Sequence, residues 1–184
     1  MRSVVADRRF VIDLPIRERW QVVDVLRTAV YQCLAVVFDA DAFAEVVSMV
    51  VGELVENALK HGAWNSDAEP TGASARLRIS SAAEGVRIEV SNPLPPGADP
   101  KPILSMLDRI RAAPTPQDAY VERLREVARD VTLRGGLGLM RIAFEANASL
   151  TAVVAERQIT VRADVAVPPE GVEGAEGTQG AAAG

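Results

Sequence analysis

Glu53, Asn57 and Lys60 stand in one mostly apolar stretch, Gly52-Glu53-Leu54-Val55-Glu56-Asn57-Ala58-Leu59-Lys60-His61-Gly62. At about 100° per residue a helix sets Glu53 and Asn57 one turn apart, with Lys60 on the same side. Val46, Met49 and Val50 continue that side; Val47, Val51, Leu54, Val55 and Ala58 form the opposite one. A helix apolar nearly all round is normally buried. Buried Glu, Asn and Lys then need partners, because an unpaired polar group costs several kcal/mol. Those partners are an internal hydrogen-bond network, solvent at the helix end, or a bound ligand. A second stretch narrows the chemistry. Arg134-Gly135-Gly136-Leu137-Gly138-Leu139 runs into a helix, and such a turn holds phosphate through outward N–H groups and the helix dipole. A flexible loop explains these glycines equally well. The cluster lacks the parallel βαβ setting of a dinucleotide fingerprint, and no Gly-Lys-Ser/Thr occurs in the chain.

The elements that position these stretches are legible in order. Phe10, Ile12 and Leu14 alternate with Val11 and Asp13, as in a short strand. Pro15 suits a first helical position. Trp20, Val23, Leu26, Val30 and Leu34 then follow at helical spacing. Asp39 or Asp41 caps the next helix, which ends at Gly62, a residue able to turn left-handed there. A loop runs through Pro70 and Gly72. Ala75, Leu77 and Ile79, then Val86, Ile88 and Val90, alternate with polar residues and predict a hairpin. Ser91-Asn92-Pro93-Leu94-Pro95-Pro96-Gly97 is too rich in proline for a sheet interior. One short helix starts at Asp99-Pro100 and carries Ile103, Leu107 and Ile110. Another starts at Thr115-Pro116-Gln117-Asp118 and carries a stripe of Tyr120, Leu124, Val127 and Val131. Leu150–Val154 and Ile159–Val165 are the last two strands, turning at Glu156-Arg157. The order predicts an α+β fold, a two-layer α/β sandwich with a mostly antiparallel sheet and helices on one face. Residues 1–166 form one domain, and 167–184 read as a disordered acidic tail of Gly, Ala and Glu.

Composition sets bounds. The chain has 184 residues and a net charge of −5, so it has no general attraction to nucleic acid or acidic membranes. Glu170, Glu173 and Glu176 carry three of those charges. A single cysteine, Cys33, excludes an internal disulfide and reads as a core thiol. No secretory signal and no charge-free apolar run of membrane-spanning length is present, so the expectation is a cytoplasmic protein.

Taken together, the two stretches resemble the GHKL ATPase superfamily. The N box of that group, Glu-x-x-x-Asn-Ala, is matched from Glu53 to Ala58, and its second glycine box at Gly136-Leu137-Gly138-Leu139. The resemblance implies a histidine-kinase-like ATPase fold with ATP and Mg²⁺ as cofactors. It makes Asn57 the metal ligand and Glu53 the group that orients or deprotonates the attacking hydroxyl or water. Lys60 and His61 would contact the nucleotide. Gly135, Gly136, Leu137 and Gly138 would hold its phosphates, and residues 93–134 would form a lid over it. The first glycine box departs from the pattern. Where the family has Asp-x-Gly-x-Gly, this chain has Asn92 followed by prolines, so Asn92 is left to accept the adenine amino group.

His61 is the only histidine, which argues against a self-phosphorylating histidine kinase. The length and layout are similar to the anti-sigma-factor, partner-switching branch of serine/threonine kinases. That branch implies a STAS-like antagonist as substrate, a sigma factor or other regulated target, and a homodimer through Trp20 and the first strand and helix. The alternative is a non-catalytic binding module on the same fold.

Overall fold

Apolar residues at alternate positions give five strands, and apolar stripes give five helices, in a computed structural model that describes residues 9–64, 75–82, 85–130, 132 and 135–168. The chain runs β1 (Val11–Ile16), α1 (Gln21–Phe38), α2 (Asp41–His61), β2 (Ala75–Ala82) and β3 (Gly85–Pro93). It continues through α3 (Lys101–Ala112), α4 (Pro116–Arg129), α5 (Leu137–Glu145), β4 (Ser149–Ala155) and β5 (Gln158–Ala166). The strands form one sheet in the order β1-β2-β3-β5-β4, and every neighbouring pair is antiparallel. This is the expected two-layer α+β sandwich. The loop at Pro70 and Gly72, Val131, Arg134 and the tail beyond Pro168 lie outside the described residues.

One face of the sheet builds the core. Leu77, Ile79, Val86, Ile88, Val90, Ala163 and Val165 are buried. The alternate residues carry charge instead, and they pair across strands. Asp13 stands opposite Arg78, Arg78 opposite Glu89, and Glu89 opposite Arg162. Arg162 bonds Glu89 at 2.8 Å, and Arg87 bonds Asp164 at 2.7 Å. The tight turn between β4 and β5 uses Glu156 and Arg157, both at positive φ, as a two-residue hairpin of that twist requires.

The long central helix α2 is the spine. Val47, Val50, Val51, Leu54, Val55 and Ala58 are buried along it. Val50 therefore belongs to the core and not to the polar stripe. Helix α1 packs along α2 and brings Arg27 over Gly52, where a Cβ would lie 2.7 Å from the Arg27 Cδ. By length and composition α1 could cross a membrane, but it carries Asp24 and Arg27 and buries Val23, Leu26, Val30, Leu34 and Phe38 in this fold.

Several local expectations are corrected. Pro15 lies inside β1, which is an edge strand, and α1 starts only at Gln21. An edge strand has one side free of pairing, so a missing N–H is tolerated there. Ala40, not Asp39 or Asp41, is the N-cap of α2, without a side-chain bond; Asp39 ends α1 in the left-handed region. Gly62 does end α2, but with φ −74°, so handedness is not its reason. Space is: a Cβ would sit 2.7 Å from the Ala58 carbonyl and 3.1 Å from the Trp64 ring nitrogen. Cys33 is exposed, on the side of α1 that also shows Val25 and Val36. Trp20 is exposed rather than part of the buried stripe. In α4 the buried residues are Ala119 and Arg123, and Leu124 is exposed. Thr115 does cap α4, accepting the Asp118 N–H at 3.1 Å.

Candidate functional site

Glu53 and Asn57 meet the glycine turn where α2 crosses α5. A Cβ on Gly138 would overlap a Glu53 carboxylate oxygen and lie 3.7 Å from the Asn57 amide nitrogen. Only glycine lets α5 approach both side chains this closely. The other Glu53 oxygen accepts from Arg141 Nη1 at 3.2 Å, and Arg141 also bonds Glu145 at 2.9 Å. Glu53 is only 22% exposed, so that bond holds its carboxylate in one direction.

Beside this junction lies a cavity of about 440 Å³. This is within the size range of small-molecule and cofactor sites. Asn57 and His61 of α2, Asn92 of β3 and Gly135 and Gly136 of the turn line it. Met106 of α3 and Arg123 of α4 also line it. Its remaining walls are mostly apolar, with Leu54, Val90, Ile159 and Val161 among them, and Asp99 also lines it.

Asn92 is buried, and its amide nitrogen donates to the Pro93 carbonyl over a long 3.4 Å. The same carbonyl accepts the Ala63 N–H at 2.8 Å, which ties the end of α2 to the exit of β3. The Asn92 amide oxygen accepts no hydrogen bond among the described residues. Among those residues no fully buried side-chain nitrogen or oxygen lacks a partner, so this oxygen keeps some exposure, and Asn92 lines the cavity.

The glycine turn is pinned from α3 and α4. Gly136 has φ 84°, the left-handed region, and a Cβ there would overlap the Met106 methyl group. Arg123 donates to the Gly135 carbonyl through Nε at 3.2 Å and Nη2 at 2.6 Å. Its Nη1 bonds Glu126 at 2.7 Å. Glu126 in turn accepts both Nη groups of Arg109, at 2.7 and 3.2 Å. The Arg109 guanidinium first, and Arg123 second, hold the Glu126 carboxyl down at about 2.

The predicted residues thus separate. Asn57, His61, Asn92, Gly135 and Gly136 share the cavity, and Gly138 joins Glu53 to Asn57 beside it. Leu137 opens α5 and is half-buried outside the cavity lining. Lys60 turns away: its ammonium bonds Glu56 at 3.0 Å and lies 5.9 Å from the Trp20 ring centroid. Arg123 and Arg141 are the site residues that motif reasoning misses. Arg141 lies three positions after Gly138, on the same helix face, and Arg123 lies three before Glu126, the spacing of an ion pair; those are the available signals.

No family model and no curated protein matches the sequence. Among solved structures, a chain of the SiaB–SiaC complex from Pseudomonas aeruginosa is similar, with a TM-score of 0.64 and 19% identity. The match covers 86% of this chain and 90% of that one. At that identity the likeness shows the shared fold.

Proposed function

We propose that this chain is a partner-switching regulator that binds ATP with Mg²⁺ and transfers the terminal phosphoryl group to a serine or threonine of a STAS-like protein. The observation that carries this reading is the contact of Gly138 with both Glu53 and Asn57 at the edge of the cavity. It joins the two motifs on which the GHKL resemblance rests. A solved structure of similar fold contains two proteins in one complex, which supports a protein partner for this chain too.

The residues fit the cofactors. Among the described residues no group of three or more His, Cys, Asp or Glu side chains could hold a metal alone. Mg²⁺ needs no such group, because it keeps several waters and arrives with phosphates, taking one or two protein oxygens. Asn57 would supply one, and the ion would neutralise phosphate charge. The glycine turn offers backbone N–H groups, and the Asn92 amide oxygen is an acceptor for an exocyclic amine. Glu53 accepts the proton of the attacking hydroxyl, and Arg141 aims its carboxylate. The exposed Val11, Trp20, Val25 and Val36 suit the second copy that the resemblance implies. A sigma factor or other target of the switch binds elsewhere on the surface.

Calorimetry with ATP, ADP and GTP, each with and without Mg²⁺, tests the reading on the wild type and on Asn57→Ala. Mg²⁺-dependent adenine-nucleotide binding that Asn57→Ala weakens supports it. One feature favours a non-catalytic binding module instead: prolines at 93, 95 and 96 stand where the resembled family has its glycine box. The absence of binding to any of the three nucleotides at millimolar concentration would select that module.

A further inference from the structure

We propose that Asn92 opens the cavity to purine nucleotides with either an amino or an oxo group at ring position 6, so that the base is not selected at that edge. The inference rests on the nucleotide reading above and deepens it by naming which bases the site accepts.

The bonding of the amide supplies the first part. Asn92 is only 5% exposed, and a buried amide normally has its donors and its oxygen matched by partners. Here the match is incomplete. The amide nitrogen carries two N–H donors, and its one acceptor among the described residues is the Pro93 carbonyl, at 3.4 Å. That carbonyl does not depend on Asn92, because it already accepts the Ala63 N–H at 2.8 Å. The amide oxygen accepts nothing among the described residues. The charged groups of the lining bond elsewhere: Arg123 to Gly135 and Glu126, and Asp99 to the Lys101 backbone N–H. Asn92 therefore keeps one donor and one acceptor for a ligand. A 6-amino purine presents a donor and meets the oxygen. A 6-oxo purine presents an acceptor and meets the N–H. A carboxylate at this place would offer acceptors alone.

The surroundings supply the second part. Asn92 continues the inward row of β3, after Val90. Ile159 stands opposite Asn92 on β5, and Val161 stands opposite Val90. All four side chains line the cavity. The three apolar ones cover the flat face of a base without reading its edge. Among apolar neighbours an unmatched polar edge is costly and a matched one gains strength. The side chain at 92 thus decides which base edges enter, and an amide admits both kinds.

The test is calorimetry of ATP and ITP with Mg²⁺ on the full chain, for the wild type, Asn92→Asp and Asn92→Leu. ITP differs from ATP only at ring positions 1 and 6, so the pair isolates this edge. The wild type should bind the two within about tenfold of each other. Asn92→Asp should keep ATP within about threefold and weaken ITP about 10- to 100-fold, because an acceptor then faces the oxo group. Asn92→Leu removes donor and acceptor together and should weaken both nucleotides alike, with melting temperatures showing that each variant folds. A wild type that prefers ATP by more than about tenfold would overturn the inference and leave the nucleotide reading standing. So would an ATP-to-ITP ratio that Asn92→Asp fails to raise by about tenfold. Binding of ITP without ATP, or of neither at millimolar concentration, would overturn both.

Discussion

Gly138 and Glu53 occupy a space with room for a carboxylate or a methyl group, but not both. Gly138→Ala should displace the Glu53 side chain from Arg141 and destabilise the chain by about 1–3 kcal/mol, read by urea denaturation. In a Glu53→Ala background the same change should cost far less. A double-mutant cycle with no coupling between the two sites would show that the junction relaxes elsewhere.

Glu53→Gln keeps the shape of the side chain and removes the proton acceptor. Phosphoryl transfer to the partner should fall by at least about 100-fold, while Mg·ATP affinity stays within about threefold. Transfer at the wild-type rate would remove Glu53 from the chemistry.

Gly52 and Arg27 offer a stability test away from the site. An alanine at 52 gains helix propensity but meets the Arg27 stem. Gly52→Ala should be near neutral or destabilising alone. In an Arg27→Ala background it should stabilise by about 0.5–1 kcal/mol, seen as a higher denaturation midpoint. No difference between the two backgrounds would mean that the Arg27 side chain moves aside at no cost.

The link between α3 and α4 should respond to acid. The Glu126 carboxyl is held at about 2 in the fold, against 4.5 when unperturbed. A depressed folded pKa stabilises above the unfolded value, so the contribution is complete above pH 4.5 and fades as pH falls toward about 2. Melting temperatures of the wild type and Glu126→Gln should differ near neutrality and converge across that window. A constant gap between the two would show that the carboxylate's charge is not what joins α3 to α4.

Strand alternation and helical spacing make the architecture readable from the sequence, because each element hides one regular face. The Glu53–Asn57 spacing and the glycine turn are readable for the same reason: each depends on neighbours a few residues away. Features that depend on distant partners are not readable in this way. Pro15 reads as a helix start because nothing local reveals that β1 lies at the sheet edge. Lys60 falls on the site's side of a helical wheel, yet its long chain bends to Glu56 one turn earlier. In α4 the apolar stripe points to the wrong inner face. Arg123 holds the inner position there, since the Gly135 carbonyl, 12 positions along the chain, needs a donor. Cys33 misleads in the opposite sense: an apolar helical run does not say which of its sides remains uncovered.

The paired charges on the open face of the sheet also guard the chain against misassembly. A slip of β3 against β5 by one residue would turn its apolar side outward and is strongly disfavoured. A slip by two preserves the faces and would otherwise be the dangerous error. In one direction it sets Arg87 opposite Arg162, and in the other Glu89 opposite Asp164, so like charges meet either way. Only the native alignment satisfies all four residues. That alignment also delivers Asn92 to its place beside the end of α2, so surface charges far from any ligand decide whether the cavity acquires its buried amide.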